Sequence, residues 1–395
     1  MAQGGSTRRE FIETAAAVSI AAQTSATQTS PEFHEFYLGR LRRNGIVGSS
    51  FLLLRQNAPV VKEFYGYSDA ATKKLVDWNT CYHWASITKT FTGIAILQLR
   101  DRSRLNLDDP VAQFIPELRQ VHDPYGPVDT ITIRHLLTHS AGFRNPTWPW
   151  RTETWQPFEP AKWSQIVAML PYTKVEFKPG GRHSYSNLGI VFLGQIIERL
   201  TDDPYKVYID KNILKPLAME ASYFDQAPYY LLPFRSHSYF LEKGKLKEAK
   251  FNFDTGITVS NGGLMAPFGD MQKYLEFLLG KPEKNVYETV LKRSTLAEMF
   301  QKQLDVLASD SSQLAGMRGS DSIGLAFFRH EEGGRVYIGH GGNQNGFLSH
   351  FYVDPSSGRA YLVAYNTDAS DPEQNTSKLD LEIRDYLFKR NLEIR

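Results

Sequence analysis

The chain has 395 residues, 42% apolar and 22% charged, with a formal net charge of +2. Its one tight basic cluster, Arg40-Leu41-Arg42-Arg43, is too small a footprint for nucleic acid, and no stretch approaches the roughly 18 apolar residues that span a membrane. With a single cysteine, Cys81, no internal disulfide is possible, so stability rests on a hydrophobic core, which a chain this long can bury.

The N-terminus differs from the rest. Ser6-Thr7-Arg8-Arg9-Glu10-Phe11-Ile12 precedes a weakly apolar, alanine-rich run from Thr14 to Ala22 and a Thr/Ser/Gln spacer. Paired arginines before a mild hydrophobic segment resemble a bacterial twin-arginine export signal. Residues 1–26 are therefore set apart from a folded domain over 27–395, and the mature protein is expected in the periplasm or outside the cell. Pro31 to Arg43 reads as a helix, with Phe33, Phe36, Tyr37 and Leu41 at helical spacing. Ile46 to Leu54 and Val60 to Tyr67 read as two strands around the turn Gln56-Asn57-Ala58-Pro59. A helix follows from Ser86, apolar nearly all round through Leu99, which marks it as central and buried. Thr132 precedes a short helical run, Ile133 to Leu137. Arg144 to Trp163 is an irregular connection holding four of the six tryptophans, suited equally to a pocket wall and to plain packing. Helices are predicted over Pro160 to Leu170, Asn187 to Leu200 and Phe268 to Leu279. The last third reads as short strands, Ile323 to Arg329, Arg335 to Gly339, Phe347 to Val353 and Ala360 to Tyr365, then a closing helix from Leu379 to Phe388. Strands at both ends with helices between them imply an α+β fold around an antiparallel sheet.

The most informative motif is Ser86-Ile87-Thr88-Lys89. Residues three apart on a helix share a face. A serine becomes a nucleophile when a nearby base takes its proton, and a desolvated lysine can be that base. Such a motif recurs by chance and by itself is also a plain helix start. Two further elements join it: Tyr185-Ser186-Asn187, after the turn Pro179-Gly180-Gly181, and His340-Gly341-Gly342 at a strand end. Singly, these too have plain readings, a core tyrosine, a helix N-cap and a turn.

In this order the three elements resemble the serine hydrolases of the penicillin-recognising superfamily, in the branch of class C β-lactamases, D-alanyl-D-alanine carboxypeptidases, D-aminopeptidases and carboxylesterases. Leu105-Asn106-Leu107-Asp108-Asp109-Pro110-Val111, the run from Ile133 to Phe143, Pro216-Leu217-Ala218-Met219 and Asn261-Gly262-Gly263-Leu264 support it. The resemblance implies a β-lactamase/transpeptidase-like fold: an α/β part over about 27–85 and 255–395, and a mainly helical subdomain over about 86–254. It implies that Ser86 is acylated, that Lys89 takes or passes its proton and that Tyr185 completes the relay, provided the site pulls the phenol below its usual pKa. Asn187 would hydrogen-bond Lys89 and a substrate carbonyl. The N–H groups of Ser86 and Asn343 would form the oxyanion hole, with Gly341 and Gly342 letting the strand approach substrate. No cofactor and no metal are expected.

His340 stands where β-lactamases typically carry lysine, and an imidazole is mostly neutral at pH 7. The site thus lacks a permanent anchor for a carboxylate, which favours small ester, amide or D-amino-acid peptide substrates over penicillins. A class C-like β-lactamase and a catalytically silent penicillin-binding or scaffold protein are the alternatives. A zinc hydrolase finds no His-Glu-x-x-His among the ten histidines. Ser320-Asp321-Ser322-Ile323-Gly324 lacks the first glycine of a nucleophile elbow.

Overall fold

The computed structural model describes residues 30–143, 162–252, 254–280, 285–307 and 320–394. Helix α1 (Pro31–Arg43) has proline in its first turn, Glu32 near its positive end and Arg40, Arg42 and Arg43 in its last turn, each suited to the helix dipole. Its buried residues Phe33, Tyr37 and Leu41 are four apart and form one stripe. Strands β1 (Gly48–Arg55), β2 (Ala58–Asp69), β3 (Lys74–Leu75) and β4 (Cys81–His83) follow. Then come α2 (Thr88–Asp101), α3 (Ile133–Leu137) and α4 (Asn187–Thr201). Residues 223–248, which the sequence groups with the helical part, hold three short strands, β5 (Tyr223–Phe224), β6 (Tyr239–Glu242) and β7 (Lys245–Glu248). After β8 (Leu264–Pro267) and α5 (Phe268–Leu279) come β9 (Leu304–Asp305), β10 (Ser322–Ile323), β11 (Phe328–Glu332), β12 (Arg335–Gln344), β13 (Phe347–Asp354), β14 (Arg359–Tyr365), β15 (Thr367–Ala369) and α6 (Thr376–Phe388).

Nine strands pair in the order β3-β2-β1-β14-β13-β12-β11-β10-β9, antiparallel throughout. The sheet has two buried faces, and β1 shows why. Phe51 and Leu53 pack with α1 and α6 through Tyr37, Leu41, Ile383 and Leu387. Leu52 and Leu54 point the other way, into the larger core with Ile94, Leu97, Phe268 and Leu275. α2 lies deep in that core, with residues 88–99 all buried.

One predicted strand, Ile323 to Arg329, is instead two, β10 and β11. Ala326 sits at φ +64, which no strand residue adopts. A Cβ on Gly324 would meet the Met299 carbonyl oxygen at 2.2 Å, so the chain turns there against its neighbour. The segments 1–26 and 144–161, named above as an export signal and a tryptophan-rich connection, lie outside the described residues. Among the described residues no helix is long and apolar enough to cross a membrane.

Candidate active site

Ser86 sits in a 3-10 turn, Ala85–Ile87, that leads into α2. The turn is pinned to β8 on both sides. Trp84 donates its backbone N–H to the Leu264 carbonyl at 2.9 Å and its indole N–H to the Ala266 carbonyl at 2.9 Å. Thr88 Oγ1 accepts from Leu264 N–H at 3.0 Å. Between them Ala85 is held at φ +47, a left-handed conformation costing about 1–2 kcal/mol. The result is a half-buried serine at the N-terminal end of a buried helix.

Lys89, one turn on, is fully buried. Its Nζ lies 2.9 Å from Ser86 Oγ and donates to the Asn261 carbonyl at 2.7 Å. Burial alone drives its pKa well below the usual amine range, with no offsetting carboxylate among the described residues. In the neutral amine one N–H serves Asn261, and the lone pair is free to accept the serine proton. Sequence reasoning missed Asn261, because a backbone carbonyl has no side-chain signature. Its segment, the short helix Val259–Gly262, is tied to α2 by Thr92 Oγ1 donating to the Ser260 carbonyl at 2.6 Å.

Tyr185 is 7% exposed, and Ser86 is the polar group that favours ionisation of its hydroxyl. Its ring centroid lies 5.0 Å from Lys89 Nζ. Alcohol, amine and phenol thus meet, from stretches about 100 residues apart in sequence. The expected downward pull on the phenol does not prevail: burial pushes the Tyr185 pKa up, and Ser86 only partly offsets it. The physical reason is burial, which disfavours the charged phenolate. His139, also missed as a site residue, holds this loop. Its ring lies 4.3 Å from that of Tyr185, its Nδ1 accepts from Ser186 N–H at 3.2 Å and its carbonyl accepts from Ser184 N–H at 2.7 Å. Ser186 in turn caps α4, its Oγ accepting from Gly189 N–H at 3.2 Å.

Asn187 is the first residue of α4. The expected hydrogen bond to Lys89 is not formed; the amine instead contacts Ser86 Oγ and the Asn261 carbonyl. Asn187 Oδ1 is buried without a partner among the described residues, which leaves an acceptor over for an incoming group.

β12 supplies the remaining wall. β11 pairs with it only as far as Gly339, opposite Phe328, while β13 continues alongside Gly341, Gly342 and Asn343. The other edge of residues 340–344 turns toward the Ser86 turn. A Cβ on Gly342 would sit 2.3 Å from the Trp84 carbonyl oxygen, so only glycine lets the strand come this close. Asn343 is exposed at the end of this edge. His340 is 1% exposed, packed 5.1 Å from the Phe328 ring and 6.5 Å from the Tyr185 ring. Its Nδ1 lies 2.7 Å from the Gly341 carbonyl. Burial, then Lys89, lowers its pKa to about 3, and His139 is likewise held well below its usual value by burial. Both rings are neutral at pH 7. Among the described residues no group of three or more His, Cys, Asp or Glu side chains could hold a metal ion. Cys81 is a buried thiol whose pKa burial pushes up to about 12.

Comparison with known proteins gives a consistent family. The beta-lactamase family profile matches residues 26–384. Protein flp of Staphylococcus aureus (strain COL) is 27% identical over 329 residues, 83% of this chain and 61% of that protein; the chain thus spans about 61% of its curated relative. The octameric penicillin-binding protein homologue from Pyrococcus abyssi superposes with a TM-score of 0.74 at 25% identity, covering 91% of this chain and 77% of that one. The D-amino acid amidase from Ochrobactrum anthropi SV3 shares the fold, with a TM-score of 0.72 at 19% identity over 90% and 96% of the two chains. With its antiparallel sheet, flanking helices and matched profile, the chain belongs to the beta-lactamase family, within the penicillin-recognising serine hydrolases.

Proposed function

We propose that this protein is an exported serine hydrolase that cleaves ester, amide or D-amino-acid peptide bonds through an acyl-enzyme on Ser86. The observation that carries the reading is the 2.9 Å contact between Ser86 Oγ and a buried Lys89 amine with no carboxylate partner among the described residues. A lysine paired with a carboxylate would stay charged and could not act as a base.

In acylation, Lys89 takes the Ser86 proton as Oγ attacks the substrate carbonyl carbon. The backbone N–H groups of Ser86 and Asn343 stabilise the developing oxyanion, each worth about 10²–10³ in rate by analogy with other such donors. Proton uptake turns Lys89 into an ammonium 5.0 Å from the Tyr185 ring. That new charge favours the phenolate, so Tyr185 now gives its proton to the leaving group as the carbonyl reforms. The ammonium then returns its proton to the phenolate, and both residues are neutral again. In deacylation Tyr185 and Lys89 take a proton from the attacking water, and Ser86 Oγ recovers one as it leaves. Asn187, with its unpartnered oxygen, accepts a substrate N–H, and Gly341 and Gly342 allow the substrate to lie along β12.

The test is a panel on wild type and Ser86→Ala: a short-chain nitrophenyl ester, a D-alanine anilide, a D-Ala-D-Ala peptide and a chromogenic cephalosporin. Turnover of at least one of the first three, abolished by Ser86→Ala, is expected. Cephalosporin turnover alone would favour a β-lactamase, and binding without any turnover a silent binding protein. Export through residues 1–26 is tested by cell fractionation, where Arg8→Lys with Arg9→Lys is expected to leave the protein in the cytoplasm.

A further inference from the structure

Apolar side chains left in solvent gather at one edge of the nine-stranded sheet. Tyr67 of β2 and Leu75 of β3 sit opposite each other, and Leu75 is 66% exposed. Beside them runs Tyr229-Tyr230-Leu231-Leu232-Pro233-Phe234, a 3-10 segment. Lys74 joins the two: its Nζ donates to the Pro233 carbonyl and lies 5.6 Å from the Phe234 ring centroid. Leu231 alone turns inward, packing with Cys81, Tyr223 and Met265. Tyr229 is 90% and Tyr230 67% exposed, and Tyr67, Leu232 and Phe234 are exposed as well. Single exposed apolar residues are ordinary, but six gathered together mark a binding surface. The charge on this face has one sign. Residues 70–76 and 226–234 hold Lys73 and Lys74 and no acid. The acids that flank it are Asp69, Asp77 and Asp254, the last sharing a cleft with Leu232. Each accepts a hydrogen bond within its own loop, from Ala71, Asn79 and Gly256 N–H respectively, at 2.8–2.9 Å.

We infer that this face docks on an anionic lipid bilayer, with Leu75, Tyr229 and Tyr230 entering the headgroup layer and Lys73 and Lys74 meeting lipid phosphates. Tyrosine suits that boundary, its ring apolar and its hydroxyl wet, and each lysine adds attraction to an anionic surface. The protruding tyrosines make a knob, not a groove, and a fluid layer admits a knob without a matching pocket. A second copy of the chain is the other candidate. A two-fold contact through this face would bring the Lys73–Lys74 pairs of both copies together, a repulsion that an anionic bilayer replaces with attraction. None of these side chains belongs to the Ser86 site, and the inference holds whatever bond that residue cleaves.

The experiment is co-sedimentation of the full chain with vesicles of phosphatidylglycerol or of phosphatidylcholine, in wild type, in Tyr229→Ser with Tyr230→Ser, and in Lys73→Gln. Wild type is expected to partition onto phosphatidylglycerol, more weakly as salt rises, and little onto phosphatidylcholine. The double variant is expected to lose about tenfold or more in partitioning, and Lys73→Gln about fivefold. All three positions lie on the surface, so circular dichroism is expected to match wild type, which separates lost docking from lost folding. Equal partitioning of wild type and the double variant, the result if residues 1–26 bind lipid by themselves, would overturn the inference, as would no binding by wild type. Sedimentation velocity without lipid tests the other occupant: a dimer that the double variant dissolves would assign the face to a second copy and overturn the inference.

Discussion

Gly342→Ala is the sharpest test of how close β12 must lie to the nucleophile. The added methyl would stand 2.3 Å from the Trp84 carbonyl oxygen, 3.0 Å from Ser349 Oγ and 3.1 Å from the Trp84 carbonyl carbon. An ordinary carbon–oxygen contact needs roughly 3.2–3.5 Å, so strand and turn must part by about 1 Å. Trp84 is held by two hydrogen bonds to β8 and Gly342 lies in register with Ser349 of β13, so neither side gives freely. A displacement of this size between Ser86 and the Asn343 N–H costs about 10²-fold in rate, equivalent to about 2.7 kcal/mol of barrier. The assay is kcat/KM for a nitrophenyl ester alongside a thermal melt. Gly39→Ala is the control: it is exposed within α1, with no atom within 4 Å of the added carbon, and should gain about 0.5–1 kcal/mol of stability. A Gly342→Ala enzyme within twofold of wild type would show that the β12 edge does not set the reacting geometry.

Two further outcomes follow from the buried bases. Lys89→Met is expected to lower kcat/KM by about 10²–10⁴ without preventing folding, measured by ester hydrolysis and circular dichroism. Lys89→Arg should not rescue it, because a guanidinium offers no lone pair; recovery by arginine would show that charge, not basicity, is what the site needs. His340 has a folded-state pKa of about 3 against an unfolded value near 6.5. Between those values the unfolded chain binds more protons, so stability falls as pH drops through that window. Tm read at pH 7, 5 and 4 should decline, and less steeply in His340→Gln; an equal slope in both proteins would contradict a buried neutral imidazole.

Much of this fold was legible because its signals are local. Proline, acid and base placement and a four-residue apolar stripe mark α1, and Thr132 marks the start of α3 by accepting from His135 N–H. The bounds of both, and of Phe268–Leu279, follow from such signals. What escaped depends on partners distant in sequence. β10 and β11 are separate because Gly324 meets Met299. β4 and β8 are too short to carry an alternating pattern, and exist because each pairs with the other. In the site, residue types at fixed spacing pointed to Ser86, Lys89 and Tyr185, but not to their protonation. Burial decides that, and it set the phenol in the direction opposite to the one expected. Asn261 meets Lys89 through a backbone carbonyl, so it leaves no motif.

The central claim is that Ser86 is a nucleophile activated by a neutral Lys89. The most direct measurement is the rate at which a serine-directed phosphonate modifies the folded protein, with the adduct located by peptide mass mapping. A single adduct on Ser86 is expected, formed far more slowly in Lys89→Met and absent in Ser86→Ala. A folded wild-type protein that gains no adduct, or gains it elsewhere, would contradict the account.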